Sequence, residues 1–370
     1  MEKCALSGLF EDCEGVANSK EHIIPNFLGG RKKAICICTS CNNKAGEEWD
    51  AELAKQLAIL CILFCTTRER GDNPTQSLTN FDGKQFLFSS DGRIKAKIPS
   101  YAVNDIDTSK VQIQIEANSE KDAKKMIAGL LRKHKLSSDF ENYSYATNIV
   151  PLELKTEFSF DVSGPKAGRS LVKSVYLFGI SSGLNRDLFS FAWDYLSKTP
   201  KPAPQCFGPY YNSDLIKNRP TDIPLHAIAI KGCTNEKILF GYIELFGLIR
   251  FLVKLSSNYL GDNIQFQHVI NPITGEELNL EIILDISQNE LNETLNPTEA
   301  TAKKCNDIVS TFMPRFIKIW QDLGRENIVA WAKDKALKDI GPLSEENLEN
   351  YISEVWKNIF SLNVFELGIE

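Results

Sequence analysis

The sequence predicts an α+β protein in which a small cysteine-dense module precedes a larger mixed body and a helical C-terminal segment. Three observations carry this. Five of the ten cysteines (Cys4, Cys13, Cys36, Cys38 and Cys41) crowd the first 41 residues. The text from Lys84 onward alternates apolar and polar residues at period two, the mark of half-buried strands. After Pro297 the apolar residues recur at three- and four-residue steps, the mark of helices. The expected segments are 1–66, 67–290 and 291–370.

Within the first segment a helix is expected from roughly Asn43 through Cys65, ending in the apolar run "LAILCILFC". Next come strands in "KQFLFSS", "RIKAKI" and "KVQIQIEA", then a helix opened by Ser119, an N-cap residue, through "EKDAKKMIAGLLRKHK". "VPLELKTEFSFDV" reads as a strand pair, and "RSLVKSVYLFGISSGL" and "RDLFSFAWDYLSK" as helices. Two strands around Thr234-Asn235 account for "LHAIAIKG" and "KILFGYIELFGLIRFLVKLSS", where Gly241 and Gly247 oppose a continuous helix. "NPITGEELNLEIILDI" adds a turn and one more strand. Trp193, Trp320, Trp331 and Trp356 fall on apolar helix faces and are expected in the core.

At 370 residues and 43% hydrophobic content the chain can build packed cores. No apolar run reaches the roughly 18 to 20 residues of a membrane-spanning helix, so no membrane partner is expected. The first residues lack the basic start and long apolar centre of a secretory signal, which makes the cytoplasm the expected compartment. A reducing compartment favours metal ligation over disulfides for a cysteine cluster. The net charge of −6 argues against a protein that coats nucleic acid non-specifically, though it permits a local basic groove.

The chemistry concentrates in "EHIIPNFLGGR", Glu21 to Arg31, and "CTSCNN", Cys38 to Asn43. Cys38 and Cys41 have the two-residue spacing that brings two thiolates to one zinc, and Cys4 and Cys13 are the available further donors. Cys36 is an alternative ligand, and Ser7 stands where a tighter knuckle would place its cysteine. In so small a module zinc would supply folding free energy that a core cannot. Phosphodiester hydrolysis needs a base for water and a cation for the developing charge. A neutral His22 suits the first task, and the oxygens of Glu21 and Asn42 suit a hard divalent ion. In a regular strand, however, Glu21 and His22 would point to opposite faces. Asn43 reads as a helix cap, and Asp50, two helical turns beyond Asn42, as a solvated or supporting residue. His226 and His268, in strand-like apolar text, read as core or partner-bonded histidines.

This order of carboxylate-histidine, Gly-Gly turn, Cys-x-x-Cys-Asn and helix resembles the HNH, or His-Me finger, endonucleases, in the zinc-stabilised branch that includes phage junction resolvases and bacterial restriction and defence nucleases. The resemblance covers residues 1 to about 60. It implies a ββα-metal fold, a two-stranded hairpin packed on one helix, with DNA as substrate. His22 would be the general base, Glu21 and Asn42 would hold a catalytic Mg2+ or Mn2+, and Cys4, Cys13, Cys38 and Cys41 would bind structural Zn2+. The chain departs from the family in carrying Glu21 where many members have Asp or His, and Asn26 is the only counterpart of the family's middle asparagine. A role in anti-phage defence or restriction is what the resemblance implies. The rest of the chain is then expected to bind the target, a protein partner in a defence complex or a regulatory ligand. The contrasting reading is a non-catalytic zinc knuckle that docks nucleic acid or protein.

Overall fold

The computed structural model describes residues 2–90, 94–107, 110–118, 120–134, 162, 164–198 and 204–361. In chain order the N-terminal module holds β1 (Ser19–His22), β2 (Lys33–Ile37), α1 (Thr39–Ala45), a single π turn (Gly46–Asp50) and α2 (Ala51–Leu63). Then follow β3 (Gln76–Thr79), β4 (Gln85–Phe88), β5 (Ile94–Ala96), β6 (Ser100–Asp107), β7 (Lys110–Glu116) and α3 (Glu120–Lys133). The remainder comprises α4 (Ala167–Ser181), α5 (Ser190–Ser197), β8 (Phe207–Pro209), β9 (His226–Cys233), β10 (Ile238–Leu245), β11 (Ile249–Ser256), β12 (Ile264–Ile270), α6 (Gln288–Thr294), α7 (Glu299–Ile340) and α8 (Leu348–Ser361). The fold is α+β, with the finger at the N-terminal end and helices at the C-terminal end.

The chain forms two compact units, and they do not follow the linear order of the three expected segments. One unit combines residues 1–73 with 159–318; the other combines 74–158 with 319–370, so the boundary falls inside α7. The second unit contains a three-stranded sheet β3-β4-β5, the β6-β7 hairpin, α3 and α8. Its buried apolar residues include Phe86, Phe88, Ile94, Leu130, Leu131 and Trp320, and the Phe88 and Trp320 rings lie 6.1 Å apart. Of the tryptophans on α7 and α8, only Trp320 is buried; Trp331 and Trp356 are exposed, because their helix faces meet solvent there.

In the first unit the central element is an antiparallel sheet of order β12-β9-β10-β11-β8. Two strands expected around Thr234-Asn235 prove to be three. The long apolar run folds back at Phe246 and Gly247, both at positive φ, and Leu245 pairs with Ile249 across the turn. β9, β10 and β11 are apolar on both faces because both are covered. One face buries Ala227, Ala229, Phe240, Tyr242 and Leu252 beneath Ile282, Leu284 and Leu291. The other receives α4, whose approach to β10 is so close that a Cβ on Gly241 would lie 2.2 Å from Val175 Cγ1. The strand expected after Asn271 is absent. That segment runs alongside by two isolated bridges, Ile270 to Glu277 and Ile216 to Ile282, with Gln265 and Gln267 side chains satisfying its backbone instead of a ladder. The strand pair expected in 150–162 falls, but for residue 162, outside the described residues, as does the Ser119 cap.

α4 also packs on the finger, touching β2, the π turn and α2. It is therefore buried from Ala167 through Gly179, polar residues included. Ser170, Lys173 and Tyr176, three residues apart, share the face turned to the finger, as a helical period requires.

Candidate active site

The N-terminal loop is shaped by two turns. Ser7 N–H donates to Cys4 O at 3.0 Å, Cys13 N–H donates to Phe10 O, and Gly8 and Gly15 take the positive φ that a residue with a Cβ would resist. These turns close the eight-residue gap between Cys4 and Cys13. From the other side β2 runs into Cys38, which caps α1 by accepting Cys41 N–H on its sulfur at 3.4 Å. Gly15 N–H reaches Cys13 Sγ and Cys38 N–H reaches Cys4 Sγ. The Sγ atoms of Cys4, Cys13, Cys38 and Cys41 all lie within 4.8 Å of one another, and Cys13 and Cys38 are 3.9 Å apart.

A tetrahedral Zn–S4 cage with bonds of about 2.3 Å separates its sulfurs by about 3.8 Å, so these four residues fit zinc. The backbone N–H donors would spread the thiolate charge. Cys36 is buried but outside the group, and Ser7 contributes its carbonyl to Arg186 Nη2 at 3.0 Å instead.

β1 pairs antiparallel with β2, with Glu21 opposite Ala34 and His22 opposite Lys33. The strand is regular at this end, so adjacent side chains diverge. Glu21 is 6% exposed and faces α4, where Lys173 Nζ donates to its Oε1 at 2.6 Å. His22, with 20% of its side chain exposed, faces the other way. Its Nε2 lies 3.2 Å from Glu69 Oε2, and Lys33 Nζ donates to that same oxygen at 2.5 Å. Hydrogen bonds to Lys33 first, and to His22, hold the Glu69 carboxyl below the usual carboxylate range. An ionised carboxylate only accepts, so His22 presents Nε2–H to it and keeps Nδ1 as the basic nitrogen. Burial lowers the His22 pKa, against the upward pull of Glu69, and favours the neutral imidazole.

Asn42, immediately after the zinc-knuckle cysteine, donates from Nδ2 to Ser19 Oγ at 2.8 Å. Ser19 is three residues before His22, about 10 Å along an extended strand. No hydrogen bond joins His22, Glu21 and Asn42 to one another. Each of the three is engaged elsewhere, Glu21 by Lys173, His22 by Glu69 and Asn42 by Ser19, and the carboxylate expected to ligate a divalent ion already holds an ammonium. As a ligand set for Mg2+ or Mn2+ they do not fit in this arrangement.

The loop between β1 and β2 is pinned to the body. Gly30 lies so close to Ile24 that a Cβ would meet its carbonyl oxygen at 1.7 Å, which excludes any side chain there. A Cβ on Gly29 would come within 2.8 Å of Pro272 O. His226 Nε2–H donates to Leu28 O at 2.7 Å, and Arg31 Nη2 donates to Thr67 O at 3.0 Å. Thr67 in turn donates through N–H to Pro272 O and through Oγ1 to Ile273 O. The Gly-Gly turn thus seats on the loop after β12, and His226 is a partner-bonded core histidine. His268, hydrogen-bonded through Nδ1 to Glu277 at 2.8 Å, is one as well.

Glu69 and Lys173 were not expected at the site, and Asp50, expected in a solvated or supporting role, has partners that were not. Glu69 is placed by its own N–H, which donates to Asn26 Oδ1 at 3.1 Å, giving that asparagine a structural task. Asp50 reaches Lys173 Nζ at 2.5 Å and Ser170 Oγ at 2.5 Å. Asp50 closes the π turn Gly46–Asp50, and its partners come from α4, more than a hundred residues on. The sequence signal for Lys173 was a single lysine amid the apolar text of α4.

Residues 13–58 match the HNH endonuclease family. No curated protein and no solved structure matches the chain. The chain carries an HNH endonuclease domain at its N-terminus, and its cysteine cluster is compatible with the zinc-binding branch. Among the described residues no helix is long and apolar enough to cross a membrane.

Proposed function

We propose that this chain is an endonuclease that hydrolyses DNA phosphodiester bonds, with His22 as the general base. The observation that carries the reading is the partly exposed imidazole held by Glu69 on a hairpin within the HNH-matching residues. Glu69 orients the ring through Nε2–H, so Nδ1 is the nitrogen that takes a proton from the attacking water. The carboxylate stabilises the imidazolium as it forms. The four cysteines would hold Zn2+ as a structural ion, clamping the loop before β1 to the start of α1. Mg2+ or Mn2+ is the cation expected for the reaction, and it would have to compete with Lys173 for the Glu21 carboxylate.

The test is plasmid cleavage with Mg2+ or Mn2+ against an EDTA control, on the wild type and His22→Ala. The variant should lose about 100-fold or more of the rate, the scale of a general base, with zinc content and melting temperature kept. Wild-type cleavage by His22→Ala sinks the assignment. The engagement of Glu21 by Lys173 favours a second reading, a zinc-knuckle module that binds DNA or protein without cutting. That reading predicts EDTA-insensitive DNA retention and no cleavage by the wild type, alone or with proteins that co-purify with it.

A further inference from the structure

Lys173 is a charge in a place where charge is costly. Its side chain has no exposed surface, yet its ammonium donates to Glu21 Oε1 at 2.6 Å and to Asp50 Oδ2 at 2.5 Å. Burial works against the charge, and the carboxylates of Asp50 and Glu21 more than offset it, raising the lysine pKa above its ordinary value. The two carboxylates come from different elements of the finger, β1 and the π turn, and the cation comes from α4. Ser170 Oγ donates to the other Asp50 oxygen at 2.5 Å, and Tyr176 O–H donates to Ala5 O at 2.9 Å from the same helix face. The ammonium is thus held by a helix that is itself fixed on either side of the contact.

We propose that the Lys173 ammonium is the resident cation of the Glu21–Asp50 carboxylate pair, standing where a divalent ion would otherwise bind, so that Glu21 positions β1 instead of ligating metal. A divalent ion on Glu21 would meet a fixed positive charge on the same carboxylate, and that charge has to leave before the ion can bind. Fixing Glu21 inward also fixes the next residue outward, because strand side chains alternate. Lys173 and Glu21 are then positioning residues for His22. Only this last consequence rests on the nuclease reading.

The test uses the zinc-loaded full chain and measures Mn2+ binding by the loss of free-ion electron paramagnetic resonance signal, together with the melting temperature with and without Mn2+. Four results are expected. Glu21→Gln leaves wild-type Mn2+ binding within twofold. Lys173→Met melts lower and gains one Mn2+ equivalent, with Mn2+ restoring part of the melting temperature, and Lys173→Met/Glu21→Gln loses that equivalent. Lys173→Arg, which keeps the charge, gains none. A purely structural lysine would not create a metal site on removal. The proposal is overturned if wild type holds an Mn2+ equivalent that Glu21→Gln weakens tenfold or more, or if Lys173→Met folds and binds no Mn2+. Should Lys173→Met fail to fold even with Mn2+, the comparison of wild type with Glu21→Gln decides. None of these readouts uses cleavage, so a chain that cuts nothing would defeat the nuclease reading and leave this one standing.

Discussion

His22 and Lys33 face each other across the hairpin and converge on a single oxygen of Glu69, at 3.2 and 2.5 Å. This arrangement sets the pH at which His22 can act. Burial lowers its pKa, and Glu69 raises it by a smaller amount. The neutral base is therefore present down to a pH below the ordinary histidine value of about 6.5, and the acid limb of the cleavage rate should lie below that value. Glu69→Gln removes the upward pull, so its limb should move to lower pH still. It should also slow cleavage roughly tenfold, the effect of losing one charge-assisted hydrogen bond of about 1.5 kcal/mol. Rate profiles of the two proteins from pH 4 to 8 check both points. A limb that rises in the Glu69 variant contradicts the assigned geometry.

The cysteine group predicts a distinct pattern of metal content. Elemental analysis should find one zinc per chain, and Cys38→Ser should reduce it to none with a large drop in melting temperature. Structural zinc in small modules contributes on the order of 10 kcal/mol to folding. Cys36→Ser is the informative control. Cys36 is buried next to the group but outside it, so its variant should keep the zinc and lose only the roughly 1 kcal/mol typical of a mild core change. Zinc lost from both variants alike would remove the four-cysteine assignment.

What was legible in the sequence is what is local. Cys38 and Cys41 are one helical turn apart, so their spacing alone announces a shared ligand, whereas the turns at Gly8 and Gly15 that bring in Cys4 and Cys13 are a finding of the structure. The strand period likewise anticipates the opposite facing of Glu21 and His22. The partners of those two side chains could not be read in this way. Lys173 arrives from 152 residues beyond Glu21, and Glu69 from 47 residues beyond His22, each positioned by packing that no local pattern encodes. Asp50 could be read as a supporting residue, but its partners Ser170 and Lys173 could not, for the same reason. The same limit explains the body. Covered on both faces, β9 to β11 lose the alternation that distinguishes strands, and the turn at Phe246 shows only the following glycine as a signal.

That turn is also where acid should act on the fold. His226 is fully buried, accepts Phe246 N–H on Nδ1 at 3.0 Å and donates Nε2–H to Leu28 O at 2.7 Å. Both nitrogens are thus committed in the neutral ring, and a proton on Nδ1 would expel the backbone donor that holds Phe246 at its positive φ. Burial lowers the His226 pKa to about 4. The unfolded chain, with a histidine pKa near 6.5, binds more protons than the folded one between these values, so stability rises with pH across that window. The contribution is complete above about pH 6.5 and disappears as pH falls through about 4, amounting to roughly 3 kcal/mol. Urea unfolding at a series of pH values should show this slope in the wild type. His226→Gln should be less stable at pH 7.5, by about 1 to 3 kcal/mol for the backbone groups it leaves unpaired, and should show a slope smaller by nearly one proton. If the two proteins lose stability in parallel between pH 6.5 and 4, His226 does not tie the Gly-Gly turn to the sheet in the way its hydrogen bonds indicate.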